Sequence, residues 1–183
     1  EWDPATPLYD PMCGAVTILI EACALAMNLA PGLGRSFAFE RWRDFDAAAF
    51  EKLRESARGA ALPRPPGFIG GSDHAAAAVE AARQNAARAH LAEHLQFTVS
   101  DLDQVRAPEG KGLVLTNAPY GRRVGDAHNL RPLYTRLGRL LRSQFRGWRA
   151  GVDLCYHEEK GAEHNERCWR DRVWRALEFL FHR

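Results

Sequence analysis

No apolar run in this chain is long or clean enough to cross a bilayer. The most hydrophobic stretch, Ala15 to Ala30, is interrupted by Glu21 and Asn28, whereas a span needs about 20 mostly apolar residues. No segment reads as a signal peptide either. Cysteine is scarce: Cys13, Cys23, Cys155 and Cys168 include no CxxC pair. Reduced thiols in a cytoplasmic protein are therefore expected. Cys155, His157, His164 and Cys168 fit no standard zinc spacing, so no metal site is expected. The first glycine-containing loop lacks G-x-G-x-x-G spacing, which argues against a dinucleotide-dependent dehydrogenase. Internal repeats and low-complexity segments are also missing.

What remains is enough for one domain with a real core: 183 residues, 46% of them hydrophobic. The formal charge of +2 hides an asymmetry. Residues 1–119 hold 11 Lys/Arg against 15 Asp/Glu, net −4; residues 120–183 hold 14 against 8, net +6. Nearly all of that basic excess is Arg, whose planar fork suits phosphate oxygens. A solvated, Arg-rich surface would give the same numbers.

Patterning predicts strands alternating with helices. Strands are read at Pro7–Asp10, Gly67–Asp73, Leu95–Val99 (running on to Asp101), 112–116 and Trp148–Cys155. A last one is read in the tail 172–183, centred on 176–181. Helices are read at Thr17–Leu29, from about Phe39 to Arg58, at Ala75–Ala89 and at Leu130–Phe145. Leu133, Leu137, Leu140 and Leu141 share one face of the last helix. His90 and His94 fall near a helix end, where capping or solvation is the ordinary reading. Trp42, Phe45 and Phe50 suit either a lid over a site or local packing. Alternation of this kind implies an α/β fold with a parallel sheet covered on both faces.

Ligands of such sheets sit at the carboxyl ends of the strands, near the switch in strand order. Three strands here end in acids, Asp10, Asp73 and Asp101, and a fourth ends in Asn117-Ala118-Pro119-Tyr120. Each acid alone reads as a turn or cap residue. Together, an acid after the second strand suits a ribose diol and one after the third suits an adenine amino group. A small-residue loop after the first strand lets backbone approach a ligand at a helix N-terminus. An Asn-Pro-Pro-Tyr type of turn is how many methyltransferases grip a nucleobase amino group. Asn and a backbone carbonyl accept its hydrogens, and the aromatic ring offers a stacking face.

The segment 8–22, containing Asp10-Pro11-Met12-Cys13-Gly14, resembles the S-adenosylmethionine loop of bacterial 23S rRNA guanine-N2 methyltransferases, which normally read DPMCGSGT. Ala30-Pro31-Gly32-Leu33-Gly34-Arg35, Gly71-Ser72-Asp73, the helix around Val79 to Ala86 and Asn117-Ala118-Pro119-Tyr120-Gly121-Arg122-Arg123 (the family's NPPYGER) extend the resemblance from Trp2 to about Ala150. It implies a Rossmann-like class I methyltransferase with a mostly parallel seven-stranded sheet and helices on both faces. Residues 1–183 would form a single domain with a helical insertion at about 36–62 and without the family's upstream RNA-binding THUMP region. Asp10, Met12, Cys13 and Gly14 would then line the methionine end of S-adenosylmethionine, Asp73 its ribose and Asp101 its adenine. Asn117, Pro119 and Tyr120 would present the target guanine, with Arg122 and Arg123 on the RNA. No covalent intermediate is required, so Cys13 is not a nucleophile. The expected partner is RNA, 23S rRNA above all, and no membrane.

Three positions depart from the family pattern. Val16 replaces a Gly of the loop, and a β-branched residue resists positive φ and would project into the cofactor's space. Ala118 replaces the first Pro of the turn. Ala75 stands where a second acid usually follows Asp73. Two alternatives stay open: an adenine-N6 DNA methyltransferase, whose target amine the same turn serves, and a degenerate RNA-binding copy with weak or no catalysis.

Overall fold

The structure, a computed structural model, describes residues 2–119 and 130–152. Five strands form one sheet: β1 (Leu8–Asp10), β2 (Ile69–Asp73), β3 (Gln96–Val99), β4 (Leu113–Thr116) and β5 (Arg149–Val152). They pair in the order β3-β2-β1-β4-β5, and every pairing is parallel. The chain works outward from β1 to β3, then returns to the other side of β1 to lay down β4. The switch point therefore lies between β1 and β4, the place where ligands of such sheets bind. Against the seven strands expected, five occur among the described residues. The tail strand expected at 172–183, and Asp153 to Cys155 of the fifth, lie outside them.

The three central strands are buried almost throughout, with β1, β4 and all but the last residue of β2 inaccessible. Period-two alternation sorts their side chains into two cores. Leu8, Ile69, Leu113 and Leu115 pack with Leu19, Cys23, Ala82 and Ala86 from α1 (Thr17–Ala26) and α3 (Ala76–Arg88). Tyr9 and Val114 point the other way and pack with Leu137, Leu140 and Phe145, brought by α4 (Leu130–Ser143) and the turn after it. Each fully buried Leu or Ile side chain contributes about 1.5–3 kcal/mol. The alternating apolar pattern is thus what puts helices on both faces.

α1 ends three residues before the expected Leu29. Asn28 takes a left-handed φ of 54°, Leu29 N–H donates to Ala24 O and Asn28 N–H to Leu25 O. This paired-bond cap needs a residue that tolerates positive φ, which Asn does. α3 closes the same way, with His90 at φ 57°, Leu91 N–H on Ala86 O and His90 N–H on Ala87 O.

The single helix expected over 39–58 is instead two pieces, a 3₁₀ turn at Ala38–Arg41 and α2 at Ala47–Ala60. Asp46 explains the break: its carboxylate accepts from Ala49 N–H at 2.9 Å and starts a new helix. No residue of α2 is buried. The helix is tethered to the end of α1 by Asn28 Nδ2 donating to Ala60 O at 3.0 Å and by Leu62 N–H donating to Met27 O at 2.8 Å. A groove of about 350 Å³ runs between α1 and α2, lined by Leu25, Leu29, Ala57 and Ala60 among others. No helix among the described residues is long and apolar enough to cross a membrane.

Candidate functional site at the strand ends

β1 and β2 meet closely at the site because of Gly71, which pairs with Asp10. A Cβ at Gly71 would lie 2.6 Å from the Asp10 carbonyl oxygen and 2.9 Å from Leu19 Cδ1. The loop after β1 is then stitched to β2. Cys13 N–H donates to Ser72 O at 3.0 Å, and Gly14 N–H donates to the Asp73 carboxylate at 3.1 Å. The other Asp73 oxygen accepts from Ala75 N–H at 2.9 Å and lies 3.2 Å from His74 Nδ1. Ser100 N–H donates to Asp73 O at 2.9 Å, which brings the β3 end, with Asp101, alongside.

Asp10 is almost fully enclosed, at 2% exposure. Burial pushes its carboxyl up to about 7, and the nearby Asp73 carboxylate acts in the same direction. Two groups partly offset this, the neighbouring Thr116 hydroxyl and the Met12 N–H, which donates to Asp10 Oδ1 at 3.0 Å. The Thr116 hydroxyl is buried and completes no well-formed hydrogen bond of its own. A buried acid beside a second acid, with no cation paired to it among the described residues, is set up to receive one. Cys13 is buried too, and its thiol is driven up to about 12 by burial and by Asp10 and Asp73. It stays protonated at neutral pH and is a poor nucleophile.

Gly14 adopts φ +50°, and the space where its Cβ would project is open. That opening is the kind of cradle a ligand needs for close backbone approach. Val16 behaves differently from the sequence expectation. Its backbone takes the left-handed conformation anyway, φ 74° and ψ 16°, and its side chain turns into the core at 1% exposure. It therefore leaves the space in front of the loop free. The cost of a left-handed non-Gly residue is about 1–2 kcal/mol. Surrounding bonds hold the conformation: Val16 N–H donates to Cys13 O at 2.8 Å, and Asn85 Nδ2, from α3, donates to Ala15 O at 3.0 Å.

Asp101 caps the 3₁₀ turn Leu102–Gln104, accepting from Asp103 N–H at 3.2 Å. It also forms an ion pair with Arg136 of α4, whose Nε donates to Asp103 at 2.9 Å. On the other side of the switch point, β4 delivers Asn117, exposed and with no hydrogen bond from its side chain among the described residues. Ala118 is buried at 3% exposure within the α4-side core. Pro119 is half-buried, and its carbonyl oxygen accepts from the Tyr134 hydroxyl at 2.8 Å.

The structure thus gathers Asp10, Met12, Cys13, Gly14 and Asp73 into one loop-centred cluster, places Asp101 beside it and sets Asn117 and Pro119 across the switch. Tyr120, Arg122 and Arg123 lie outside the described residues. Asn85, Tyr134 and Arg136 were missed in the sequence. Their role is to hold site residues up to 70 positions away, and helical periodicity carries no signal for that. The α1–α2 groove includes none of the strand-end groups.

Comparison with known proteins fits this geometry. The chain is 41% identical over 153 residues to the ribosomal RNA large subunit methyltransferase K/L of Chromohalobacter salexigens, matching 80% of this chain and 21% of that protein. SMU.472, solved with SAH bound, superposes with a TM-score of 0.78 at 32% identity, over 83% of this chain and 40% of that one. The predicted N6-adenine-specific DNA methylase of Listeria monocytogenes str. 4b F2365 superposes with a TM-score of 0.76 at 34% identity, again over 83% and 40%. This chain therefore spans about a fifth of that curated relative and two fifths of those solved chains. The family model described as "UPF0020: RMKL-like, methyltransferase domain" matches residues 1–178. The chain belongs to that methyltransferase family.

Proposed function

We propose that this domain transfers a methyl group from S-adenosylmethionine to the exocyclic amino group of guanine in RNA, with 23S rRNA as the substrate. The observation that carries the reading is that the switch point sets the buried Asp10 on one side and, on the other, Asn117, whose side chain has no hydrogen bond among the described residues. The residues fit the cofactor. Asp10 and the open face of Gly14 would hold its methionine end, Asp73 its ribose hydroxyls and Asp101 its adenine amino group. When bound, the cofactor supplies an electrophilic methyl on a sulfonium.

The chain's own task is alignment. The guanine amino nitrogen is a weak nucleophile because its lone pair is delocalised into the ring. The Asn117 side-chain oxygen and the Ala118 carbonyl can each accept one of its hydrogens, aiming the nitrogen along the line of transfer. Neither acceptor is occupied among the described residues. Positioning of this sort can supply about 7–11 kcal/mol of a barrier. As the new N–C bond forms, the surplus proton leaves the nitrogen for solvent. Tyr120 would receive the unstacked base, with Arg122 and Arg123 on the flanking phosphates. A cytoplasmic setting goes with that substrate.

The Listeria monocytogenes structure supports a second reading, adenine-N6 methylation of DNA. Methyl incorporation from labelled cofactor into ribosomal RNA and into DNA, followed by nucleoside analysis, separates the two. N2-methylguanosine from RNA is the expected product; N6-methyladenine from DNA alone overturns the proposal. Cofactor binding with no methyl on either polymer identifies a degenerate copy.

A further inference from the structure

Trp42 is 72% exposed, although it belongs to an aromatic group whose other members are half-buried. Phe37, Phe39, Phe45 and Phe50 form the body of that group. Phe39 stacks on Phe37 at 5.2 Å and meets Phe50 edge-on at 5.2 Å, while Phe45 meets Phe50 at 5.5 Å. Polar clamps fix the body. Arg54 donates to Glu40 and to the Arg35 carbonyl and lies 4.8 Å over the Phe50 ring; Glu40 accepts from Phe37 N–H at 2.8 Å. Trp42 is held at the edge of this frame. Its N–H donates to Phe39 O at 3.0 Å, its carbonyl accepts from Phe45 N–H at 3.2 Å, and its ring touches Phe39 at 6.3 Å. The backbone is pinned and the indole is left in water.

Arg41 and Arg43 flank the indole in sequence. Both are exposed and make no ion pair among the described residues. Glu40 is paired with Arg54, and Asp46 caps the start of α2. A solvent-facing aromatic ring with an arginine on each side of it in sequence, neither in an ion pair among the described residues, has the chemistry of a single-stranded nucleic acid platform. The ring stacks a base, and the forks take phosphates on either side.

We propose that Arg41-Trp42-Arg43 is an RNA-docking platform on the insertion between α1 and β2, stacking one unpaired base apart from the base being modified. The proposal rests on the reading of RNA as substrate, and its test needs neither cofactor nor turnover. The full chain is titrated with a fluorescent single-stranded 12-nucleotide RNA. Trp42→Ala should weaken binding about tenfold and Trp42→Phe much less, because stacking survives. Replacing Arg41 and Arg43 by Gln should lower the salt dependence of binding by about two phosphate contacts. Wild-type affinity in Trp42→Ala overturns the platform, as does failure of the wild type to bind this RNA. So does Trp42-dependent capture by anionic vesicles without any effect on RNA. Trp42-dependent RNA binding in a protein that transfers no methyl would keep the platform and remove the proposed function.

Discussion

Asp10 makes the sharpest prediction at the scale of single residues. Its folded pKa, about 7, lies above the ordinary 3.8. The stability it contributes is therefore complete below the ordinary value and is lost as pH rises through about 4 to 7, as the buried carboxyl is forced to ionise. The cofactor-free protein should grow less stable to urea across that window, and Asp10→Asn should flatten the trend. Cofactor affinity should move the opposite way, rising with pH up to about 7, because a cationic ligand selects the ionised form. Calorimetric titrations at pH 6 and pH 8 measure this. Affinity independent of pH would remove Asp10 from the methionine end. Asn117→Ala should leave cofactor binding within twofold and reduce methyl transfer by at least a hundredfold; retained turnover would exclude it from presenting the amine.

Val16 shows how a residue-level reading can be right about a cost and wrong about its consequence. A β-branched residue in the left-handed region is indeed strained, yet the side chain's destination depends on the core beneath the loop, which a sequence does not display. Val16→Gly relieves about 1–2 kcal/mol of strain and forfeits a buried side chain, which costs more. The expected outcome is a net loss of about 1 kcal/mol in urea denaturation with unchanged cofactor affinity. Tighter cofactor binding in the variant would mean that the side chain obstructs the site after all.

Among elements, the α3 start and α4 stand out. Ala75 occupies the N-cap of α3 with no side-chain bond to the first turn. Ala75→Ser should stabilise the protein by about 1 kcal/mol, read as a shift in thermal midpoint. α4 does more than cover the sheet: Tyr134 holds the Pro119 carbonyl and Arg136 holds Asp101 and Asp103. Tyr134→Phe should cost about 1 kcal/mol of stability and lower kcat while leaving the KM for cofactor unchanged. A matched change in both constants would point to general loosening. The five strands among the described residues and the starts of α1 and α4 were legible in the sequence, because buried β-strands and apolar helix stripes repeat with fixed periods. The aromatic stretch read as one helix was not. A short 3₁₀ turn and an Asp46 cap interrupt it, and periodicity is blind to a break that keeps the aromatic spacing.

For the whole molecule, topology explains why so few residues sufficed to point to the chemistry. A β3-β2-β1-β4-β5 order brings the ends of β1, β2 and β4 together wherever a chain folds this way, so acids and an Asn at those ends must meet. Glycines at the closest approach, Gly71 above all, let the ends draw near enough to share a loop. Order along the chain therefore carried the gathering of Asp10, the loop after it and Asp73 at one end of the sheet. Long-range supports such as Asn85 on the Ala15 carbonyl became visible only once the helices were in place.

The central claim is that the loop after β1 and the acids of β1, β2 and β3 form an S-adenosylmethionine site. Isothermal titration of the folded chain with S-adenosylmethionine tests it most directly. The account predicts saturable one-to-one binding that Asp73→Ala weakens at least tenfold. No detectable heat at millimolar cofactor, from protein shown to be folded, would contradict it.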